Sequence, residues 1–141
     1  MAAERQETLV IENRFSELGR VEAWLAGLVD RWEIPPETAF AVDLVINEAV
    51  TNVISYAFPD AGTHPVTLSL TDTPEEVVVE ILDGGVPFDP FAAPEMAMSR
   101  DLDTAEIGGR GIRLIKSFAD RHDYRRVADG NRLCLTLRKS P

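Results

Sequence analysis

Two polar side chains on an otherwise apolar helix have the chemistry of a metal or ligand site. Glu48 and Asn52 lie four residues apart in Val42–Phe58, whose valines, isoleucines and alanines recur at helical spacing, and Tyr56 follows four residues later. Residues four apart share one face of a helix. A solvated face is one interpretation. However, positions 38 to 58 lack Lys and Arg, which exposed helix faces normally carry. This absence favours a covered metal or polar-ligand site.

A second stretch, DGGVPFDP at Asp83–Pro90, directly follows a predicted strand. Asp-Gly-Gly is common in turns, so a plain turn is one interpretation. The other is one wall of a flat pocket. There the Asp83 carboxylate could accept a hydrogen bond from an exocyclic amine, and Gly85 could let a ring approach the backbone. On these residues alone, both interpretations stay open.

The third stretch, GGRGIRLI at Gly108–Ile115, places glycines at the start of a predicted helix. Backbone N–H groups at a helix N-terminus favour phosphate. The stretch is not a P-loop, because no Gly-Lys-Ser/Thr follows. It also differs from the glycine loop of protein kinases, which lies in a strand hairpin near the chain start and needs a later His-Arg-Asp loop. A flexible hinge ahead of a helix is the alternative.

Composition and charge limit the possible partners. The chain has 141 residues, 45% of them apolar and 27% charged, which suits one globular domain over 1–141. A net charge of −10 argues against direct binding to nucleic acid. No Lys or Arg lies between Arg31 and Arg100, whereas ten basic and six acidic residues follow from Arg100 onward. Positive charge for an anionic ligand must therefore come from the last third, from backbone dipoles or from a metal ion.

The sequence also predicts a cytoplasmic protein without a membrane segment. No run of about 18 apolar residues is present. The charged N-terminal residues differ from a signal peptide. The single cysteine, Cys134, alternates with leucines and excludes an intramolecular disulfide.

The elements that must position these motifs follow from hydrophobic periodicity, in the order β-α-α-β-β-loop-α-β-β. Two pairs of strands are joined by turn residues, at Thr73–Glu75 and Asp129–Asn131, which predicts hairpins. Hairpins with grouped helices indicate an α+β fold, a two-layer sandwich. The predicted strands are Thr8–Glu12, Val66–Thr71, Val77–Leu82, Asp123–Val127 and Arg132–Leu137, and the predicted helices are one capped by Ser16, Pro36–Ala57 and Ile112–Phe118.

Taken together and in this order, the three motifs resemble the N, G1 and G2 boxes of the GHKL ATPase superfamily, which includes gyrase, Hsp90, histidine kinases and MutL. The stretches INEAVTNVISYAF, DGGVPFDP and GGRGIRLIKSFAD look most like the small anti-sigma-factor serine kinases of the RsbW and SpoIIAB type. The resemblance covers roughly the whole chain. It implies one ATP-binding domain with the GHKL (Bergerat) fold, an α/β sandwich whose mixed, mostly antiparallel sheet carries helices on one face.

The resemblance also implies roles for single residues, with ATP and Mg²⁺ as cofactors. Asn52 would hold the Mg²⁺ that bridges the phosphates of ATP. Glu48 would be the catalytic general base that takes the proton from the attacking hydroxyl. Asp83 would accept a hydrogen bond from the adenine amine, and Gly85 would give the ring room.

In the third box, Gly109 and Gly111 would let the backbone wrap the phosphates, with Arg110 beside them. The residue before this box, which can be basic in relatives, is Ile107 here, so Arg110 or Arg100 is expected to replace it.

Further residues near the three boxes, and the two histidines, also have predicted roles. Tyr56 stands where relatives often have His. Phe91–Ile107 is predicted to form a mobile lid, because it is long and contains prolines. His64 and His122 match no ligand spacing and are expected to be structural.

The resemblance favours a serine/threonine protein kinase that phosphorylates a small antagonist (anti-anti-sigma) protein and sequesters a sigma factor. An ATP-binding switch module with little or no kinase activity is the alternative. A detached histidine-kinase catalytic domain is less favoured, because no phospho-acceptor His helix precedes the ATP domain. Related kinases form homodimers. One apolar face of the first helix is therefore expected either to form such an interface or, equally, to pack on the chain's own domain. This face consists of Leu18, Val21, Trp24, Leu25 and Leu28.

Overall fold

The computed structural model describes residues 4–60, 62–91 and 111–139, which form a five-stranded sheet with helices on one face. The strand order is β1-β2-β3-β5-β4, and every pairing is antiparallel. The predicted two-layer sandwich is confirmed, but the expected mixed character of the sheet is absent from the described strands. The elements are β1 (Arg5–Glu12), α1 (Leu18–Arg31), α2 (Pro36–Tyr56), β2 (Pro65–Asp72), β3 (Glu76–Asp83), α3 (helical over 111–118), β4 (Arg121–Val127) and β5 (Gly130–Arg138).

The core lies between one face of the sheet and the helices. Alternate residues of β2, β3 and β5 are buried because successive side chains of a strand point to opposite faces. Residues of α2 at helical spacing cover them, so that Val42, Val45, Ile46 and Val50 are at most 1% exposed. This packing fixes the direction of the polar residues on the other side of α2.

The composition and length of α2 are those of a helix that could cross a membrane. Pro36 stands in its first turn, where a missing N–H is tolerated, and the helix then continues to Tyr56. Eight of its residues are buried in the domain. Because its apolar side packs on the sheet, α2 is the central core helix of this fold.

The apolar face of α1 packs on the chain's own domain. Val21, Leu25 and Leu28 belong to the core, and Leu18 and Trp24 pack against it. The sequence left open whether this face forms a homodimer interface, and its burial removes that basis for dimerisation. The predicted Ser16 cap is also wrong, because a short 3-10 turn at Phe15–Glu17 precedes α1 and no side-chain cap bond is present.

Candidate functional site

The polar face of α2 brings together the predicted Glu48 and Asn52. Glu48 is half-buried, and Asn52 is only 6% exposed. The side-chain nitrogen of Asn52 has no hydrogen-bond partner in the described part of the chain. A buried N–H donor without a partner costs free energy, which a hydrogen-bond acceptor on a bound ligand can offset. Asn52 therefore has the properties of a ligand-binding residue.

The start of the described part of α3 lies directly against Glu48. A Cβ built on Gly111 would be 3.4 Å from Glu48 Oε2 and 3.5 Å from its carboxyl carbon. A Cβ there would thus be in van der Waals contact with the carboxylate. Of the predicted third box, Gly111 thus reaches the N-box helix. Gly109 and Arg110, together with Arg100, Ile107 and most of the predicted lid, lie outside the described residues.

The loop after β3 is folded against the C-terminal end of α2. Its Val86 N–H donates a hydrogen bond of 2.9 Å to the carbonyl oxygen of Ala57. A Cβ built on Gly85 would lie 2.3 Å from that same oxygen, so no other residue fits without a backbone shift. This close approach of two backbone segments is a further reason for glycine at position 85, and room for a ligand ring stays a prediction.

Asp83, at the end of β3, holds this loop through one carboxylate oxygen. Its Oδ1 accepts hydrogen bonds from Gly85 N–H at 2.7 Å and from Asn131 Nδ2 at 2.9 Å. Its Oδ2 accepts no hydrogen bond from the described residues. The arrangement fixes the orientation of the carboxylate and leaves one oxygen for a ligand, as the predicted adenine contact requires.

Asn131 is a buried site residue that the sequence interpretation missed. Its Nδ2 also donates to Val86 O at 2.8 Å, and its Oδ1 accepts from Phe88 N–H at 3.1 Å and from the Tyr124 hydroxyl. All its hydrogen-bonding capacity is thus used in holding Asp83 and its loop. Asn131 is 3% exposed, so solvent offers these groups little replacement.

The sequence assigned Asn131 to a hairpin turn, whereas the turn is at 128–129 and Asn131 is a strand residue paired with Asp83. Alternation was the signal that could have found it. Asn131 continues the inward series of Leu133, Leu135 and Leu137. A polar residue at an inward position at the end of a strand indicates a hydrogen-bonded role.

The last third of the chain supplies a positive charge to the site, as the charge distribution predicts. Arg126 on β4 donates a hydrogen bond of 2.7 Å from Nη1 to the Gly85 carbonyl. Arg113 and Lys116 are exposed on α3. Arg126 was not predicted individually, because nothing in the sequence indicates which strand borders the loop.

Aromatic contacts brace the edges of the site. The rings of Tyr56 and Phe88 have centroids 5.5 Å apart, which joins α2 to the loop after β3. His122 stacks on Phe91 at 4.1 Å. The first contact involves the loop that follows Asp83. His122 thus has a packing partner, in line with the structural role expected for it.

His64 lies in the α2–β2 loop, away from Glu48. Its ring stacks on Phe58 at 4.7 Å, and its Nε2 lies 2.8 Å from Asp60 Oδ1. The hydrogen bond from His64, and then that from Gly62 N–H, lower the pKa of Asp60. These contacts give His64 a structural role, as predicted.

The donor set suits a magnesium ion that is held mainly by a ligand. Among residues 4–60, 62–91 and 111–139, no three His, Cys, Asp or Glu side chains are grouped to hold a metal. Mg²⁺ is commonly bound through one or two protein oxygens, water and substrate phosphates. The buried Asn52 and the half-buried Glu48 carry side-chain oxygens of the kind that such a site uses.

Comparison with known families defines the class of protein. The histidine kinase-like ATPase domain family matches residues 11–137. Those residues include all three predicted boxes and nearly the whole sheet. The chain therefore belongs to this ATPase family, and the GHKL resemblance read from the motifs is confirmed.

Two curated relatives define the branch more narrowly. The chain is 35% identical over 120 residues to the serine/threonine-protein kinase BtrW of Bordetella bronchiseptica, covering 84% of this chain and 83% of that protein. It is 25% identical over 107 residues to the serine-protein kinase RsbW of Listeria monocytogenes, covering 73% of this chain and 67% of that protein. The chain is thus a homologue of these serine/threonine kinases, as predicted.

Solved structures agree on the fold. A histidine kinase domain from the Erythrobacter litoralis blue-light-activated histidine kinase EL346 matches with a TM-score of 0.53 and 23% identity. That match covers 86% of this chain and 59% of the other. The Acinetobacter baumannii histidine kinase AdeS matches with a TM-score of 0.50 and 14% identity, over 97% of this chain and 70% of the other. At these identities the likeness concerns the fold.

Proposed function

We propose that this protein is an ATP-dependent serine/threonine kinase that acts as an anti-sigma factor. Its substrate would be a hydroxyl of a small antagonist (anti-anti-sigma) protein, and its second partner a sigma factor. The observation that carries the proposal is the meeting of Glu48 with the Gly111 backbone beside the buried Asn52, whose Nδ2 has no partner among the described residues. The serine/threonine kinase relatives support the choice of a protein hydroxyl as acceptor.

The base of the nucleotide would be recognised at the loop after β3. The Oδ2 of Asp83 is the acceptor for the exocyclic amine of adenine, while Asn131 and Gly85 N–H hold Oδ1. An adenine amine donates and a guanine carbonyl does not, so a fixed carboxylate discriminates between them. Arg126 holds the Gly85 carbonyl oxygen of the same loop.

The phosphates would lie between α2 and the backbone leading into α3. Asn52 would hold Mg²⁺ through its amide oxygen, and Gly109, Arg110 and Gly111 would surround the phosphates. Bound Mg-ATP would supply the transferable phosphoryl group, and Mg²⁺ would neutralise part of the phosphate charge. Burial of Asn52 excludes water from this ligand and keeps its side chain in place.

Glu48 would be the general base. Its carboxylate is half-buried and lies where the Gly111 backbone approaches α2. The incoming Ser or Thr hydroxyl would give its proton to a Glu48 oxygen as its own oxygen forms the new bond to phosphorus. The bond between the phosphoryl group and the ADP oxygen breaks in the same exchange, so that phosphoprotein and ADP are the products.

The proposed location and partners are supported by the similarity to the kinase relatives. RsbW-like relatives suggest a regulatory protein of the cytoplasm that binds proteins and no nucleic acid directly, in line with the charge of −10. A homodimer remains part of the proposal. Its interface must be sought outside the core residues Val21, Leu25 and Leu28 of α1.

The test contrasts two neighbours on α2. Glu48→Gln should keep ATP affinity within about twofold but lower the rate of phosphate transfer to the antagonist by ~10²–10⁴-fold, because only the base is lost. Asn52→Ala should weaken both. Asn47→Ala is the matched control, since Asn47 lies on the same helix and contacts Glu22 at 3.4 Å.

Transfer is measured with γ-labelled ATP and mapped by mass spectrometry. Equal transfer by Glu48→Gln and wild type would place the base elsewhere. ATP-dependent partner binding without transfer by the wild type would instead favour the switch-module function.

A further inference from the structure

An open groove between α1 and the N-terminal half of α2 lies apart from the nucleotide site. Its volume is 580 Å³, and Leu25, Val29 and Phe40 contribute to its apolar lining. Phe40 and Asn52 are twelve positions apart in the sequence, which corresponds to about 18 Å along α2. A ligand in the groove would therefore leave the Glu48 and Asn52 face accessible.

Phe40 is an unusually exposed aromatic side chain that contacts a second ring. At 63% exposure it is the most exposed large apolar side chain of the described residues. Its ring packs edge-on against that of Phe118 on α3, with centroids 6.0 Å apart. An exposed aromatic ring at the border of a groove has the character of a binding hot spot, because a partner can bury a large apolar surface on it.

Carboxylates form the rim of this groove. Glu22, Asp30 and Asp43 line it, and none of the described lining residues is Lys or Arg. Partial burial raises the pKa of the Asp43 carboxyl, and repulsion from the nearby Glu22 carboxylate raises it further. A cation placed between these groups would relieve the repulsion.

The rim charge selects among possible occupants. A second copy docked symmetrically would bring carboxylates against carboxylates, because a two-fold interface presents the same patch from both sides. Like charges across an interface are unfavourable, and phosphate backbones are repelled for the same reason. The complementary occupant is a basic protein segment with an apolar side chain to cover Phe40.

We propose that the α1–α2 groove docks a basic amphipathic segment of a partner protein. An apolar side chain of the partner would contact Phe40, and its Lys or Arg side chains would pair with Glu22, Asp30 and Asp43. The inference does not depend on nucleotide binding or on kinase activity.

The probe is a short synthetic amphipathic peptide with leucines along one face and lysines beside them, titrated into the full-length ¹⁵N-labelled protein. Two matched peptides replace either the lysines by glutamates or the leucines by serines. We expect amide shifts confined to the groove residues of α1 and α2, seen only with the lysine–leucine peptide. Affinity should fall with rising salt, because exposed ion pairs are screened.

Variants separate the two parts of the surface. Phe40→Ala should lower the affinity for the lysine–leucine peptide by about tenfold, the usual loss at a hot spot. The matched control Val10→Ala, which removes another exposed apolar side chain at 52% exposure on β1, should not. Asp43→Lys should weaken the peptide similarly, whereas Glu75→Lys at the exposed β2–β3 turn should not. Thermal melts establish that each variant is folded.

Three results would overturn the proposal. The first is equal binding of the lysine and glutamate peptides, or no binding. The second is a shift pattern centred outside the groove, or one unchanged by Phe40→Ala. The third is a concentration-dependent shift of the groove residues in the protein alone, which would make a second copy the occupant.

Discussion

At the scale of single residues, Asn131 determines how Asp83 is presented. It joins β5 to the loop after β3 through hydrogen bonds to the Asp83 carboxylate and the Val86 carbonyl, and it receives one from Tyr124 on β4. Glu48, Asn52 and Asp83 could be selected from the sequence because each is part of a spaced motif. Asn131 could not, because its partners come from distant parts of the chain and its local sequence, Asp-Gly-Asn, is also that of a turn.

Replacing Asn131 therefore has a predictable cost. Asn131→Ala should lower the free energy of unfolding by about 3 kcal/mol, because several buried groups lose their partner. It should also weaken ADP binding by about tenfold, because Asp83 is no longer held. Tyr124→Phe removes only one of these bonds and should cost about 1 kcal/mol. Chemical denaturation and calorimetry measure both effects. An Asn131→Ala protein as stable as Tyr124→Phe would show that the network contributes little.

At the scale of elements, a backbone hydrogen bond joins the C-terminal end of α2 to the loop after β3. A Cβ at Gly85 would lie 2.3 Å from Ala57 O, whereas one at the adjacent Gly84 would have no neighbour closer than 3.7 Å. Gly85→Ala should thus lower stability by about 1–3 kcal/mol through overpacking. Gly84→Ala should be neutral or slightly stabilising. Denaturation curves of this matched pair test the contact, and equal stabilities would contradict it.

The elements also show where sequence patterns stop being informative. Periodicity predicted α2 and the hairpins to within a few residues. Burial of one face makes apolar residues recur at the spacing of a helix or a strand. The pattern of α1 was equally clear, but an amphipathic helix does not reveal whether its apolar face meets its own sheet or another copy. The buried Val21, Leu25 and Leu28 decide this only in the fold.

At the scale of the whole molecule, charge is separated along the chain and across the surface. The carboxylates Glu22, Asp30 and Asp43 are grouped between α1 and α2, while Arg126 contacts the loop after β3 and the cations of α3 are exposed. The sequence indicated this separation as a gap in basic residues from 32 to 99. It could not indicate that the acidic part would border a groove.

The acidic surface has a pH-dependent cost in stability. Burial and then Glu22 raise the pKa of Asp43 above 3.8, so its ionised form is less favourable in the fold than in the unfolded chain. Ionisation of Asp43 therefore destabilises the fold as pH rises through the raised value. Asp43→Asn should be more stable than wild type at pH 7, by less than about 1 kcal/mol because the group is largely exposed.

This difference should vanish below pH 3.8, where Asp43 is protonated in both states. Glu22→Gln should reproduce part of the gain at pH 7. A stability difference that is constant between acidic and neutral pH would contradict the assigned repulsion.

The proposed function requires that Asn52 binds the magnesium ion of an adenine nucleotide. The most direct measurement is a calorimetric titration with ADP, with and without Mg²⁺, of the wild type, Asn52→Ala and the control Asn47→Ala. We predict that Mg²⁺ tightens ADP binding in the wild type and in Asn47→Ala, and that Asn52→Ala loses this Mg²⁺ dependence. If Asn52→Ala keeps the full Mg²⁺ dependence, Asn52 is not the magnesium ligand. If the wild type does not bind ADP, the proposed nucleotide site is wrong.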